Sequence, residues 1–195
     1  MRIVILGSGR GSNCQALLEA HKNSNLGKAD IIAVISDVRN SGILKVANMF
    51  GVSSFCFGPY KTNHVNDLTM LVQEESYWIS SIRNLKPDLI VLAGFMKILS
   101  NTFINSFDSK IINLHPSLLP SFQGANAIQQ AWDAGVKITG CTIHWVNAQV
   151  DSGKIIAQEA VQITKDDTLE ILTRRIHDTE HKLLTSVVAE LSYSF

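Results

Sequence analysis

The chain has 195 residues, 46% apolar and 17% charged, which excludes disorder and fits one folded domain with a sizeable core. Lys plus Arg equals Asp plus Glu at 17 each, so no basic excess points to a nucleic-acid or membrane partner. The apolar run after Met1 and Arg2 is too short for a leader, no run approaches a membrane span, and the three cysteines lack CxxC spacing, so a cytoplasmic protein with reduced, buried thiols is expected.

Residues 3–6 are a short continuous apolar run, the pattern of a buried parallel strand. They enter Gly7-Ser8-Gly9-Arg10-Gly11-Ser12-Asn13, where Ser12 or Asn13 can cap the helix that follows. Cys14, Leu17, Leu18 and His21 recur at helical spacing up to Gly27. Free N–H groups at a helix start, with the positive end of its dipole, attract an anion such as phosphate. The same residues also suit a plain tight turn, and Ser12 breaks the dinucleotide fingerprint G-x-G-x-x-G.

A strand is expected over 31–36, a helix from Ile43 to Phe50, a strand over 52–57 and a long surface helix over about 65–85. The most apolar strand, 88–93, runs into Gly94-Phe95-Met96-Lys97-Ile98-Leu99, and a helix is read over 98–107. After the strand 111–115, a helix is expected over 124–134, then an antiparallel ribbon from 136–146 and 153–164. Asp167-Thr168-Leu169-Glu170 reads as a capping box that starts a last helix through Leu172, Ile176, Leu183 and Val187. Strands alternating with helices give an α/β fold: a mostly parallel twisted sheet with helices on both faces, Rossmann-like in its N-terminal half, with an antiparallel addition near the C-terminal half.

The chain is organised around Ile111-Ile112-Asn113-Leu114-His115-Pro116. Pro116 ends the strand because it has no N–H for the ladder. Asn113 and His115 therefore sit at a carboxyl strand end, where open α/β sheets bind ligands, and they leave the same face of the strand. An amide and an imidazole there can hold and polarise a carbonyl oxygen, or can simply cap backbone groups. Asp151, in Gln149-Val150-Asp151-Ser152-Gly153, can form a turn or can orient a histidine and raise its basicity.

These segments, with Leu92-Ala93-Gly94-Phe95-Met96-Lys97-Ile98-Leu99, Asn113-Leu114-His115-Pro116-Ser117-Leu118-Leu119-Pro120, Gly140-Cys141-Thr142-Ile143-His144-Trp145-Val146 and Glu180-His181-Lys182, resemble the glycinamide ribonucleotide formyltransferases, folate-dependent enzymes of purine synthesis. The resemblance runs over nearly the whole chain. It implies a single formyltransferase domain over 1–195, with a nucleotide-binding half of about 1–100 and a folate and catalytic half of about 101–195. By it, Asn113, His115 and Asp151 match the catalytic residues. Gly11, Ser12, Asn13, Gly94 and Glu180 match positions that bind the ribonucleotide, with the phosphate on Gly11, Ser12 and Asn13 and the ribose on Glu180. Met96, Lys97, Ile98, Leu99, Asn113, Val146, Val150 and Asp151 match the site of the co-substrate 10-formyltetrahydrofolate. Lys97 is expected to point to solvent or to the folate's glutamate tail. No metal is implied. The partners are the two small molecules, with no nucleic acid or membrane, and the enzyme would be a monomer or homodimer.

The chain departs from the family at several positions. The family usually has Arg where Lys97 stands, Lys at Gln123 and Pro at Thr185, often His at Ile128, and an Arg near Asn63. Related folate enzymes that formylate a charged tRNA or hydrolyse formyl-folate carry a further domain that is not read in this sequence, so a small-molecule acceptor is expected. His177-Asp178-Thr179-Glu180-His181 spells an inverted zinc-peptidase pattern, but a zinc site wants a third protein ligand, and a solvated helix face is the plainer reading.

Overall fold

The computed structural model describes residues 1–57, 68–108 and 110–194; of 68–73 it describes the backbone. In chain order the elements are β1 (Arg2–Leu6), α1 (Ser12–Lys22), β2 (Asp30–Ser36), α2 (Gly42–Met49), β3 (Ser54–Cys56), α3 (Leu68–Asn84), β4 (Leu89–Leu92), α4 (Asn101–Asn105), β5 (Ile111–His115), α5 (Ala127–Asp133), β6 (Ile138–Trp145), β7 (Ile155–Gln162) and α6 (Leu169–Leu191). The strands form one seven-stranded sheet in the order β3-β2-β1-β4-β5-β6-β7. The pairs from β3 to β5 are parallel, and β6 and β7 add an antiparallel ribbon beyond β5. This is the expected α/β arrangement. The chain steps from β1 to β2 and β3 on one side, then returns to β4 on the other. That reversal opens a crevice at the carboxyl ends of β1 and β4.

Alternate strand residues feed two cores, one on each face. Ile3, Ile5, Val91, Ile112 and Leu114 pack with Leu17, Leu18, Ile43, Leu184 and Val188 from α1, α2 and α6. Val4, Leu6, Ile90, Leu92 and Ile111 pack with Trp78, Ile79, Ile82, Phe103 and Ile104 from α3 and α4. Cys14 and Cys141 are buried, and burial pushes both thiols up to about 12, which keeps them neutral. Cys56, on the edge strand β3, is exposed, contrary to the expectation of buried thiols. No helix of the described residues is long and apolar enough to cross a membrane.

Several element ends differ from the sequence reading. Helix α1 stops at Lys22, short of Gly27, because Ser24 takes a left-handed φ of 59° and Asn25 N–H turns back to Ala20 O at 2.8 Å. Helix α4 starts only at Asn101, after Ser100, whose Oγ accepts Phe103 N–H at 3.1 Å. Helix α5 starts at Ala127, after Asn126 in a left-handed conformation, and β3 is trimmed to three residues. Helix α6 is capped by Thr168, one residue beyond the expected box, because Asp167 turns away to Arg175 and to Thr164 N–H. Of the helix read over 65–85, residues 65–67 lie outside the described residues, as does Asn63.

Candidate active site

The turn after β1 ends at Gly11, whose φ of 88° starts α1 without any side-chain cap. The expected capping by Ser12 or Asn13 is therefore not made. Ser12 is the first helical residue, and the leading N–H groups of α1 carry no capping side chain, as an anion site requires. A Cβ on Gly11 would overlap the Ile43 backbone. Asn13 Nδ2 donates to Glu180 Oε2 at 3.4 Å, while Asn13 Oδ1 is buried without a partner. Glu180, on α6, is 4% exposed, and burial pushes its carboxyl up to about 7 against the opposing Asn13 amide.

At the other end of the crevice, β5 carries Asn113 and His115 out of the sheet. Asp151 reaches them from the connection between β6 and β7, held at a left-handed φ of 49°. Its Oδ2 accepts Gly124 N–H at 2.9 Å and faces His115 Nδ1 at 3.3 Å. Its Oδ1 accepts Asn113 Nδ2 at 3.3 Å and lies 3.6 Å from His144 Nε2. So its side chain spans the site rather than closing its own turn. Burial works to raise the Asp151 carboxyl. The hydrogen bond with His144, the Gly124 amide and the charges of His115 and His144 outweigh it and hold the group below the usual carboxylate range.

The ring of His115 faces an oxygen at each nitrogen. A carbonyl only accepts, so Nε2, 2.8 Å from Phe122 O, carries a proton. Nδ1 lies 3.3 Å from Asp151 Oδ2, a contact that becomes a charge-assisted hydrogen bond when the ring is protonated. His144 enters the sequence reading only as part of the segment 140–146. It stands directly opposite Asn113 in the β5–β6 ladder, with His115 opposite Thr142. Its Nδ1–H donates to Trp145 O at 3.0 Å, and its Nε2 lies 3.3 Å from Asn113 Nδ2. Beside it β7 bulges by one residue, Ile156, and a Cβ on Gly153 would overlap Trp145 O.

Between these two ends lies the wall 94–99. Gly94 takes a φ of 68°, and its carbonyl accepts Ser8 N–H at 3.0 Å. Met96 N–H donates to Ser8 Oγ at 2.9 Å. The side chains of Met96, Ile98 and Val150 are 75%, 77% and 50% exposed, an apolar surface that no side chain among the described residues covers. The Lys97 side chain is 42% exposed, as expected of a residue pointing to solvent, and it is also tethered. Its Nζ pairs with Glu74 Oε1 at 2.8 Å and lies 5.6 Å above the Trp78 ring. Val146 N–H is spent on Ile111 O at 2.8 Å, and Gln123 Nε2 donates to Asp151 O at 2.9 Å.

A cavity of about 640 Å³ joins all of this, a size typical of small-molecule sites. Gly11, Ser12, Asn13, Gly94 and Glu180 line it, as do Met96, Lys97, Ile98, Leu99, Val146, Val150, Asn113, His115 and Asp151. Every residue singled out from the sequence is thus on one wall or another. Arg10, His144 and His177 line it too, without having been singled out for it. The antiparallel pairing with β5 was the signal that could have found His144. An uncapped helix start, able to receive an anion, and a cluster of an amide, a carboxylate and two histidines face one cavity with an apolar wall, an arrangement that can hold two small molecules side by side.

Comparison with known proteins agrees with this geometry. Residues 1–188 match the family model described as "Formyl transferase". The chain is 37% identical to phosphoribosylglycinamide formyltransferase of Bacillus subtilis over 97% of this chain and 94% of that one. It is 39% identical to the trifunctional purine biosynthetic protein adenosine-3 of Bos taurus, covering 96% of this chain but 18% of that protein. Among solved structures, glycinamide ribonucleotide transformylase 1 from Symbiobacterium toebii superposes with a TM-score of 0.90 at 34% identity, covering 100% of this chain and 88% of that one. Phosphoribosylglycinamide formyltransferase from Brucella melitensis gives 0.88 at 38% identity, covering 98% and 95%. With the family model matching residues 1–188 and relatives and superposed structures agreeing over nearly its whole length, the chain belongs to the formyl transferase family.

Proposed function

We propose that this protein transfers the formyl group of 10-formyltetrahydrofolate to the primary amine of glycinamide ribonucleotide, a step of purine synthesis, by direct attack through a tetrahedral intermediate. The carrying observation is the single cavity that runs from the uncapped start of α1 to the cluster of Asn113, His115 and Asp151. In this reading the half of about 1–100 supplies the phosphate turn and the wall 96–99, and the half of about 101–195 supplies the catalytic cluster within one domain.

The N–H groups at Gly11, Ser12 and Asn13 hold the phosphate, and Glu180 receives the ribose hydroxyls. Met96, Ile98, Leu99 and Val150 pack against the pterin, while backbone groups of 97–99 and of 146–151 meet its polar edge. Met96 N–H is already given to Ser8, so it is not among them. On binding, an N–H of the His115 imidazolium and the Asn113 amide turn from the protein oxygens they meet in the free enzyme, Phe122 O and Asp151 Oδ1, to the oxygen of the formyl carbon as negative charge develops there. Asp151 supports the imidazolium and helps the proton pass from the attacking nitrogen to the leaving folate nitrogen. Holding both substrates in register supplies much of the rate.

The test is an assay of formyl transfer from the folate with glycinamide ribonucleotide, with other amines, with a charged tRNA and with no acceptor. Turnover confined to the ribonucleotide is expected. Equal turnover with another acceptor, or folate hydrolysis at the same rate without one, would overturn this reading.

A further inference from the structure

Residues 93–100 connect β4 to α4 without regular structure of their own, yet in the reading above they form the wall that meets the folate. The side chains at 96–99 all line the cavity, but they are held differently: Met96 and Ile98 are 75% and 77% exposed, whereas Lys97, 42% exposed, is tied to Glu74, and Leu99 packs against the core. Something must hold the second pair for the first pair to be presented. At the front, Ser8 ties down Met96 N–H and the Gly94 carbonyl. At the back, helix α3 supplies two neighbouring carboxylates.

Glu75 takes both donors of Ser100. Its Oε1 accepts Ser100 N–H at 3.2 Å and its Oε2 accepts Ser100 Oγ–H. Ser100 Oγ in turn accepts Phe103 N–H, the cap of α4, so one carboxylate sets where the wall ends and the helix begins. Glu74 holds the Lys97 ammonium, which also lies over Trp78 one helical turn along. Trp78 is itself fixed, with Nε1–H donating to Phe57 O at 3.0 Å and its ring 5.9 Å from that of Phe95. A lysine serves at this position because it is asked for a point charge against one carboxylate, not for a fork.

We infer that α3 positions the folate-binding wall: Glu75, through Ser100, and Glu74, through Lys97, hold 96–99 in place so that Met96 and Ile98 face the cavity. Neither glutamate touches a substrate, and Lys97 serves as an anchor rather than as a contact to the folate tail. The inference rests on the reading that this wall binds folate.

The experiment measures KM for each substrate at saturating levels of the other, and kcat, in the full chain. Glu75→Ala is expected to raise the folate KM about tenfold or more, because two hydrogen bonds to a charged acceptor are lost. The ribonucleotide KM should stay within about twofold and kcat should be largely kept. Glu75→Gln, which retains one acceptor oxygen, should recover part of the loss. Glu74→Gln and Lys97→Met should each raise the folate KM, and their double variant should be no worse than the poorer single one. An unchanged folate KM in Glu75→Ala, or an equal rise in both KM values, would overturn the assignment. If Glu75→Ala does not fold, Glu75→Gln and Ser100→Ala carry the same comparison. A wild-type protein that transfers nothing from folate would instead sink the functional reading, and this inference with it.

Discussion

Two carboxylates face the same cavity and are treated in opposite ways. Asp151 is surrounded by the Gly124 amide, Asn113 and two histidines, and its proton affinity is lowered in spite of burial. Glu180 is at least as deep but has one long contact, from Asn13, and burial carries it up to about 7. The difference lies in donors, not in depth. Donors and histidine charge favour the ionised form at Asp151, while burial favours the protonated form at Glu180.

The comparison breaks most sharply at Asp151. Asp151→Asn and His115→Ala are each expected to lower kcat by roughly 10²–10³, the loss typical of a well-placed oxyanion donor, with both substrates still bound. Because the two act as a unit, the double variant should be little worse than the poorer single one; strictly additive losses would separate them. A smaller effect, about tenfold to a hundredfold in kcat, is expected for His144→Ala, which removes a polar partner of Asn113 and Asp151 but no group assigned to the reacting atoms.

At Glu180 the expected change lies in affinity. Glu180→Gln should raise the ribonucleotide KM about tenfold and leave the folate KM and kcat nearly untouched, since an ionised acceptor binds hydroxyls more strongly than an amide. The wild-type ribonucleotide KM should fall as pH rises through about 7, beyond any trend in the Gln variant, whose comparison removes the substrate phosphate's own titration. A pH trend shared by both proteins would remove Glu180 from that role.

The mildest effect is on stability. The folded Glu180 holds its proton up to about 7 against an ordinary value of 4.5, so the native state binds the more protons between those limits and stability declines as pH rises through them. At pH 8 the ionised buried carboxyl costs on the order of 3 kcal/mol relative to a group that never titrates. Glu180→Gln should therefore melt several degrees above the wild type at pH 8, with the gap closing only as pH falls below the ordinary value of 4.5. A gap that is constant with pH would mean that burial does not act on this carboxyl as described.

What was legible in the chain was whatever is written locally. Pro116 marks the end of β5, so Asn113 and His115 are found at a sheet edge by reading. The turn at Gly11 announces an anion site through its glycines, although the cap proved to be Gly11 itself. Asp151 could be read as a turn residue or as a partner of His115, and only the ribbon geometry brings its carboxylate to both β5 residues. Glu180 came from resemblance, because a lone glutamate on an amphipathic helix says nothing of the helix it will pack against. His144 was undervalued because its neighbour Asn113 lies 31 residues away and is set by the register of β5 and β6. Lys97 is exposed as expected, but its tether was not legible, because Glu74 belongs to a helix whose docking no local pattern reveals.

The ladder between β5 and β6 also makes catalysis a gauge of assembly. Asp151 arrives from the far end of the ribbon, and Asn113 faces His144 only in one pairing. A slip by one residue would turn His144 to the opposite face and carry the connection bearing Asp151 out of reach. The parallel strands can therefore be fully formed while no working centre exists. In refolding, recovery of turnover should trail recovery of helical and sheet ellipticity, the lag measuring how long the ribbon takes to find its place.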